Sequence, residues 1–118
     1  MSIRKDIDLI RDINKSIERS ISYTRNIEYG DFKYDYKTQD AVIRNIEIMG
    51  EAVKSLSEKI RIDNPGIPWK SIAGTRDKLI HDYFGVNIDI MWHIVKEEIP
   101  GILSKIKIIL QNMTEEKS

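Results

Sequence analysis

The octapeptide RDKLIHDY, residues 76–83, sets an arginine, a histidine and a tyrosine at fixed offsets: Arg76, His81 and Tyr83. Their types suit the chemistry of a phosphate group. A guanidinium presents a planar fork of donors and stays cationic at physiological pH, and so can neutralise charge on phosphoryl oxygens. An imidazole, with an ordinary pKa of about 6.5, can both take and give a proton. At about 100° per residue, Arg76 and Tyr83 fall about 20° apart on a helix, whereas His81 lies about 140° from Arg76. Either the helix unwinds around His81, or Arg76 and His81 meet across a symmetric dimer. A twofold axis beside this helix would gather two arginines and two histidines into one locally basic cleft. Structural readings stand beside the chemical one. His81 could be a cap that complements the helix dipole, Arg76 a salt bridge to Glu51, and Tyr83 an anchor at a helix end.

The elements that must position these residues are helical. Isoleucines at 3, 7, 10, 13, 17 and 21 make one apolar stripe on a first helix. EYGDFKYDYK follows, a connector with Gly30 as its breaker and Tyr29, Phe32, Tyr34 and Tyr36 as aromatic anchors. Val42, Ile46, Met49, Val53, Leu56 and Ile60 mark a second helix. Gly50 lies inside it at a cost of roughly 1 kcal/mol against alanine, which predicts a close helix–helix contact there. DNPGIPW ends that helix and begins a third at about Pro68, which runs to His81 with Gly74 inside it. A fourth stripe runs through Ile88, Met91 or Trp92, Val95 and Ile99, with Asp89 near its start. Pro100 is expected to break or kink the chain. A last helix carries Leu103, Ile106, Ile109 or Leu110, and Met113, before a charged, frayed tail from about Thr114. The expected architecture is an all-α up-and-down bundle of four to five helices, with residues 1–118 as one domain.

Composition narrows the chemistry further. Nineteen basic and nineteen acidic residues cancel, so a nucleic-acid site must be a local cleft. The chain has no cysteine, which removes disulfides, thiolate metal sites and cysteine nucleophiles. His81 and His93 are twelve residues apart, too far to share a helical metal-ligand spacing, and no cysteine assists, so neither a metal nor a cofactor is implied. His93, beside Trp92, reads as structural. Gly66, Gly74 and Gly85 are isolated and form no phosphate loop. With no signal-peptide run and no span of ~20 apolar residues, the expectation is a cytoplasmic, soluble protein.

RNIEIMGEAVKSLSEKIR, NPGIPWKSIAGTRDKLIHDYFGV and DIMWHIV resemble the HepT-like proteins of the HEPN superfamily, over nearly the whole chain. Their signature is an arginine, four residues, a histidine, one residue and a tyrosine. Arg76, His81 and Tyr83 satisfy it, and Asp77 stands where that family more often has asparagine. The resemblance implies a helical bundle that dimerises around the motif helix and acts as a metal-independent endoribonuclease toxin. It implies Arg76 and His81 as catalytic residues acting on an RNA substrate, with Asp77 in support. It also implies a partner, a small nucleotidyltransferase antitoxin that neutralises the toxin by transferring AMP to Tyr83. The alternative is a non-catalytic helical dimer that docks a nucleotidyltransferase or holds a nucleotide.

Overall fold

Ile7, Ile10, Ile13 and Ile17 form the expected stripe, buried along helix α1 (Asp6–Thr24), and Leu9 joins them. The computed structural model describes residues 5–79 and 87–117; Ile3, His81 and Tyr83 lie outside them. Every element among the described residues is helical: α1, α2 (Tyr29–Phe32), α3 (Tyr36–Ser55), α4 (Glu58–Asp63), α5 (Trp69–Ala73), α6 (Thr75–Leu79), α7 (Ile88–His93), a π-helical turn (Ile94–Glu98) and α8 (Ile99–Lys117). The all-α expectation therefore holds. α1 packs chiefly on α3 and α8, and the three enclose Ile10, Ile13, Val42, Ile46 and Ile106. None of the described helices is long and apolar enough to cross a membrane.

Four local expectations change. The aromatic connector folds into α2 and anchors through only two of its four rings. Phe32 is fully buried with its ring centroid 4.9 Å from that of Trp92, and Tyr29 meets Trp92 edge-on at 5.8 Å. Tyr29 also donates its hydroxyl to the Asp89 carboxylate, and that bond pushes the phenol pKa up from its ordinary value. Tyr34 and Tyr36 face solvent. Next, the second helix does not continue to Ile60. Leu56 adopts extended backbone, and Ser57 caps the separate helix α4. Asp6 fixes this reversal by accepting from the Ser57 backbone N–H at 3.0 Å and from its hydroxyl at 2.6 Å.

The motif helix is divided at Gly74 into α5 and α6, although hydrogen bonds from Gly74 N–H to Lys70 O and from Lys78 N–H to Gly74 O carry across the joint. Pro100, finally, does not interrupt the chain's helical course. The Ile99 N–H reaches back five residues to the Ile94 carbonyl, and α8 restarts there. Pro100 thus falls in a first helical turn, where its missing N–H leaves no gap. The charged residues after Thr114 extend α8 to Lys117.

Gly50 does mark a helix contact. A Cβ there would lie 3.5 Å from the Ala73 carbonyl oxygen and 3.6 Å from that of Ile72, in the backbone of α5. Those are ordinary contact distances, so the site admits one methyl group and nothing larger. Gly50→Ala is therefore expected to stabilise the protein by about 0.5–1 kcal/mol through helix propensity, a rise of roughly 2–6 °C in Tm. Gly50→Leu should drive α5 from α3 and lower Tm. Thermal melts followed by circular dichroism check both signs.

Candidate functional site

Helix α6 is held by two buried side chains one turn apart, Thr75 and Leu79. Thr75 donates its hydroxyl to the Ser71 carbonyl at 2.8 Å, tying α6 to the turn before it. Arg76 follows Thr75 directly and so leaves the core at the edge of the buried face. Its side chain is half exposed, and Nε lies 3.4 Å from Glu47 Oε2 on α3. Nη1 lies 3.9 Å from the exposed Asp77 carboxylate. The salt bridge considered for Glu51 is made by Glu47 instead, because Glu51 turns outward and pairs with Lys54 at 3.6 Å. Glu47 is one turn before Gly50, so the close crossing of α3 and α5 brings it within reach of α6.

The sequence reading missed Glu47 as the arginine's partner. A signal was present: a glutamate three residues before a mid-helix glycine that marks a crossing. Glu47 also lines a groove of about 330 Å³ between α1 and α3, together with Asp12, Arg44 and Glu51.

Of the three motif residues, the structure places Arg76; His81 and Tyr83 lie outside the described residues, so their convergence on Arg76 is not among its contacts. The two ends of the segment that carries them are adjacent. The Asn87 N–H donates to the Leu79 carbonyl at 2.9 Å, while the Asn87 side chain caps α7 through the Ile90 N–H at 3.1 Å. His93 is exposed in the last turn of α7. Among the described residues, no three histidine, aspartate or glutamate side chains gather as a metal ion would need. A cation with several N–H donors, set beside two partly exposed carboxylates at the surface, can take a phosphate in place of one of them.

Because the Arg76–Glu47 pair is substantially exposed, its contribution to stability is small, about 0–1 kcal/mol. Glu47→Gln is expected to leave the melting temperature nearly unchanged. It should strengthen binding of a short single-stranded RNA at low salt, and the gain should fade as salt screens the removed charge. Fluorescence anisotropy titrations at two ionic strengths measure this.

Comparison with known proteins extends beyond the motif. The family model described as ribonuclease HepT-like matches residues 13–109, a span that contains Arg76, His81 and Tyr83. A Thermococcus cleftensis protein named "Probable ribonuclease HepT" is 46% identical over 102 residues, covering 86% of this chain and 93% of that one. A Methanocaldococcus jannaschii protein whose name proposes an RNase is 40% identical over 114 residues, 96% of this chain and 94% of its own. The "mRNA nuclease HepT" of Shewanella oneidensis is 28% identical over 129 residues, covering 86% and 96%. No solved structure matches the chain. With a family model matched along most of its length and relatives at this identity, the chain belongs to the HepT-like ribonuclease family.

Proposed function

We propose that this member of a ribonuclease family is a metal-independent endoribonuclease toxin whose catalytic residues are Arg76 and His81. The observation that carries the reading is the intact Arg-x4-His-x-Tyr motif inside a family match, with its arginine presented half exposed on α6. RNA brings its own nucleophile, so histidine and arginine suffice for the reaction. His81 takes the proton of the 2′-hydroxyl as that oxygen attacks the adjacent phosphorus. Arg76 donates hydrogen bonds to the phosphorane oxygens as their charge grows. The bond from phosphorus to the 5′ oxygen breaks, and a protonated imidazole supplies that oxygen with its proton. The products are a 2′,3′-cyclic phosphate and a 5′-hydroxyl. DNA, which lacks the 2′-hydroxyl, is inert.

The acid and the base are separate groups at the start of the reaction, which favours a homodimer with the motif helices at its twofold axis. Two histidines and two arginines then share one cleft. The family match and the motif tyrosine support a toxin role, which we extend to a cytoplasmic protein with a minimal nucleotidyltransferase as antitoxin. Transfer of AMP to the Tyr83 phenol would add a phosphodiester charge and a purine beside the cleft. That charge pairs with Arg76 and repels incoming RNA, as phosphorylation does elsewhere.

Arg76→Ala and His81→Ala are each expected to abolish RNA cleavage, whereas His93→Ala retains it. For Arg76→Ala the melting temperature should hold, since its side chain is half exposed. Mixing the two inactive variants should not restore cleavage, because a mixed dimer keeps a single histidine where the acid and the base need two. Equal cleavage by wild type and His81→Ala would overturn the ribonuclease mechanism, and an active monomer would overturn the shared cleft. Tyr83→Phe should keep most of the cleavage activity yet escape silencing when co-expressed with the partner enzyme. Mass spectrometry of the wild type after co-expression should place AMP on the Tyr83 peptide. Modification at Tyr23, Tyr29, Tyr34 or Tyr36 instead would defeat that assignment.

A further inference from the structure

A groove of about 390 Å³ runs along α1 beside Leu103 of α8, and its lining is cationic. Lys15, Arg19 and Arg25 line it against a single carboxylate, Glu18. That carboxylate is already engaged at both oxygens. Lys107 lies 3.5 Å from one of them, and the Asn14 side chain donates to the other at 2.6 Å. Lys15, Arg19 and Arg25 are all exposed. Among the described residues, no carboxylate comes within ion-pair distance of any of the three. The groove between α1 and α3 differs, because there Arg44 stands among Asp12, Glu47 and Glu51. A chain with no net charge thus gathers uncompensated positive charge in one place.

We infer that this groove holds the sugar–phosphate backbone of single-stranded RNA and anchors the strand away from the bond that is cut. The inference rests on the ribonuclease reading above and adds to it a second RNA contact. From Lys15 to Arg25 the three cations cover ~15 Å along the axis of α1 and its C-cap. That length suits a run of phosphates better than one small anion. Tyr23 lines the same groove and is 42% exposed, which leaves its ring open to a stacking base. Cations that track a backbone, with an aromatic ring among them, hold single strands without regard to sequence. The anchor is separate from Arg76, which stands on α6, a helix packed on α3 and α7.

Strand length distinguishes the two contacts. A strand of about 20 nucleotides spans ~68 Å even at the stacked spacing of a duplex. The protein measures 46 × 30 × 27 Å, so such a strand can occupy both places at once. A dinucleoside monophosphate has a single phosphate, and once that is at Arg76 none is left for the groove.

Fluorescence anisotropy with a 2′-O-methyl strand of that length reads binding without cleavage, since no 2′-hydroxyl is free to attack. Lys15→Gln, Arg19→Gln and Arg25→Gln are each expected to flatten the plot of log affinity against log salt by about 0.7, and the triple variant by about 2. At low salt the triple variant should bind about tenfold more weakly while melting like wild type. Lys54→Gln, which removes a cation paired with Glu51 at 3.6 Å, should leave the slope unchanged. Tyr23→Leu should weaken binding about fivefold and Tyr23→Phe should not, as for ring stacking worth ~1 kcal/mol. In cleavage assays the triple variant should raise KM for a long RNA with kcat kept, and should cut a dinucleoside monophosphate as wild type does. An unchanged salt slope and affinity in the triple variant overturns the anchor and returns the groove to an acidic protein surface. A loss that extends equally to the dinucleoside monophosphate overturns it too, by placing these cations at the cut itself. Salt-dependent binding through the groove in a protein that cleaves neither substrate would keep the anchor and overturn the ribonuclease reading instead.

Discussion

The approach of α5 to α3 at Gly50 is the contact on which the rest of the site depends. With no side chain at that position, the carbonyls of Ile72 and Ala73 come to van der Waals distance of where a Cβ would stand. The crossing sets the depth at which Thr75 and Leu79 enter the core. Arg76 inherits its position from theirs. It also inherits its partner, because Glu47 lies one turn along α3 from the same glycine. A glycine in mid-helix is unfavourable by itself, and the close crossing here leaves room for no more than a methyl group in its place.

The parts of this fold that could be read from the chain are those set by a repeating pattern. The isoleucine stripe of α1 and the stripe of Val42, Ile46, Met49 and Val53 on α3 emerged as buried because a 3.6-residue period leaves little freedom in choosing the core face. Where a local signal competed with the stripe, the stripe was the poorer guide. Ile60 continues the spacing of the second helix, yet Ser57 ends it by capping a new one, with Asp6 from the chain's far side holding the turn. The exposure of Tyr34 and Tyr36 was equally hidden. Four aromatics in eight residues look alike in sequence, and only the position of Trp92, about sixty residues away, decides that Tyr29 and Phe32 are the pair to be packed. For the site, spacing and family likeness found Arg76, while its ionic partner is marked only by a glutamate three residues before the glycine of the crossing.

Pro100 shows how one constraint can be absorbed and then used. In an unbroken α-helix its ring would clash with the carbonyl four residues back and remove a hydrogen bond. The π turn over Ile94–Glu98 shifts the bonding frame by one residue, so that the helix runs on past the proline. Such turns occur often beside functional sites because they redirect the side chains that follow. Here the turn ends at Glu98, and Glu98, Gly101 and Lys105 then share one side of α8 facing α5 and α6. The same turn places Lys96 across the aromatic cluster. Its ammonium lies 4.8 Å from the Trp92 ring centre and donates to the Thr24 carbonyl at 2.5 Å, joining the end of α1 to this segment.

The ion pair at Arg76 has consequences for how a polyanion could be received on a chain with no net charge. A bare arginine would attract phosphates without selection, whereas one buried against its carboxylate would be unavailable. Arg76 is between these limits, with Nε engaged by Glu47 and half of the side chain open to water. A guanidinium has five donors, so an arriving phosphate can take the Nη edge before Glu47 is released. The cost of releasing Glu47 is that of a surface ion pair, about 0–1 kcal/mol. Glu47 thus engages the Nε edge of the arginine, while the exposed Asp77 lies beside Nη1. The groove that Glu47 lines between α1 and α3 also carries Asp12, Arg44 and Glu51, so a polyanion there meets charges of both signs.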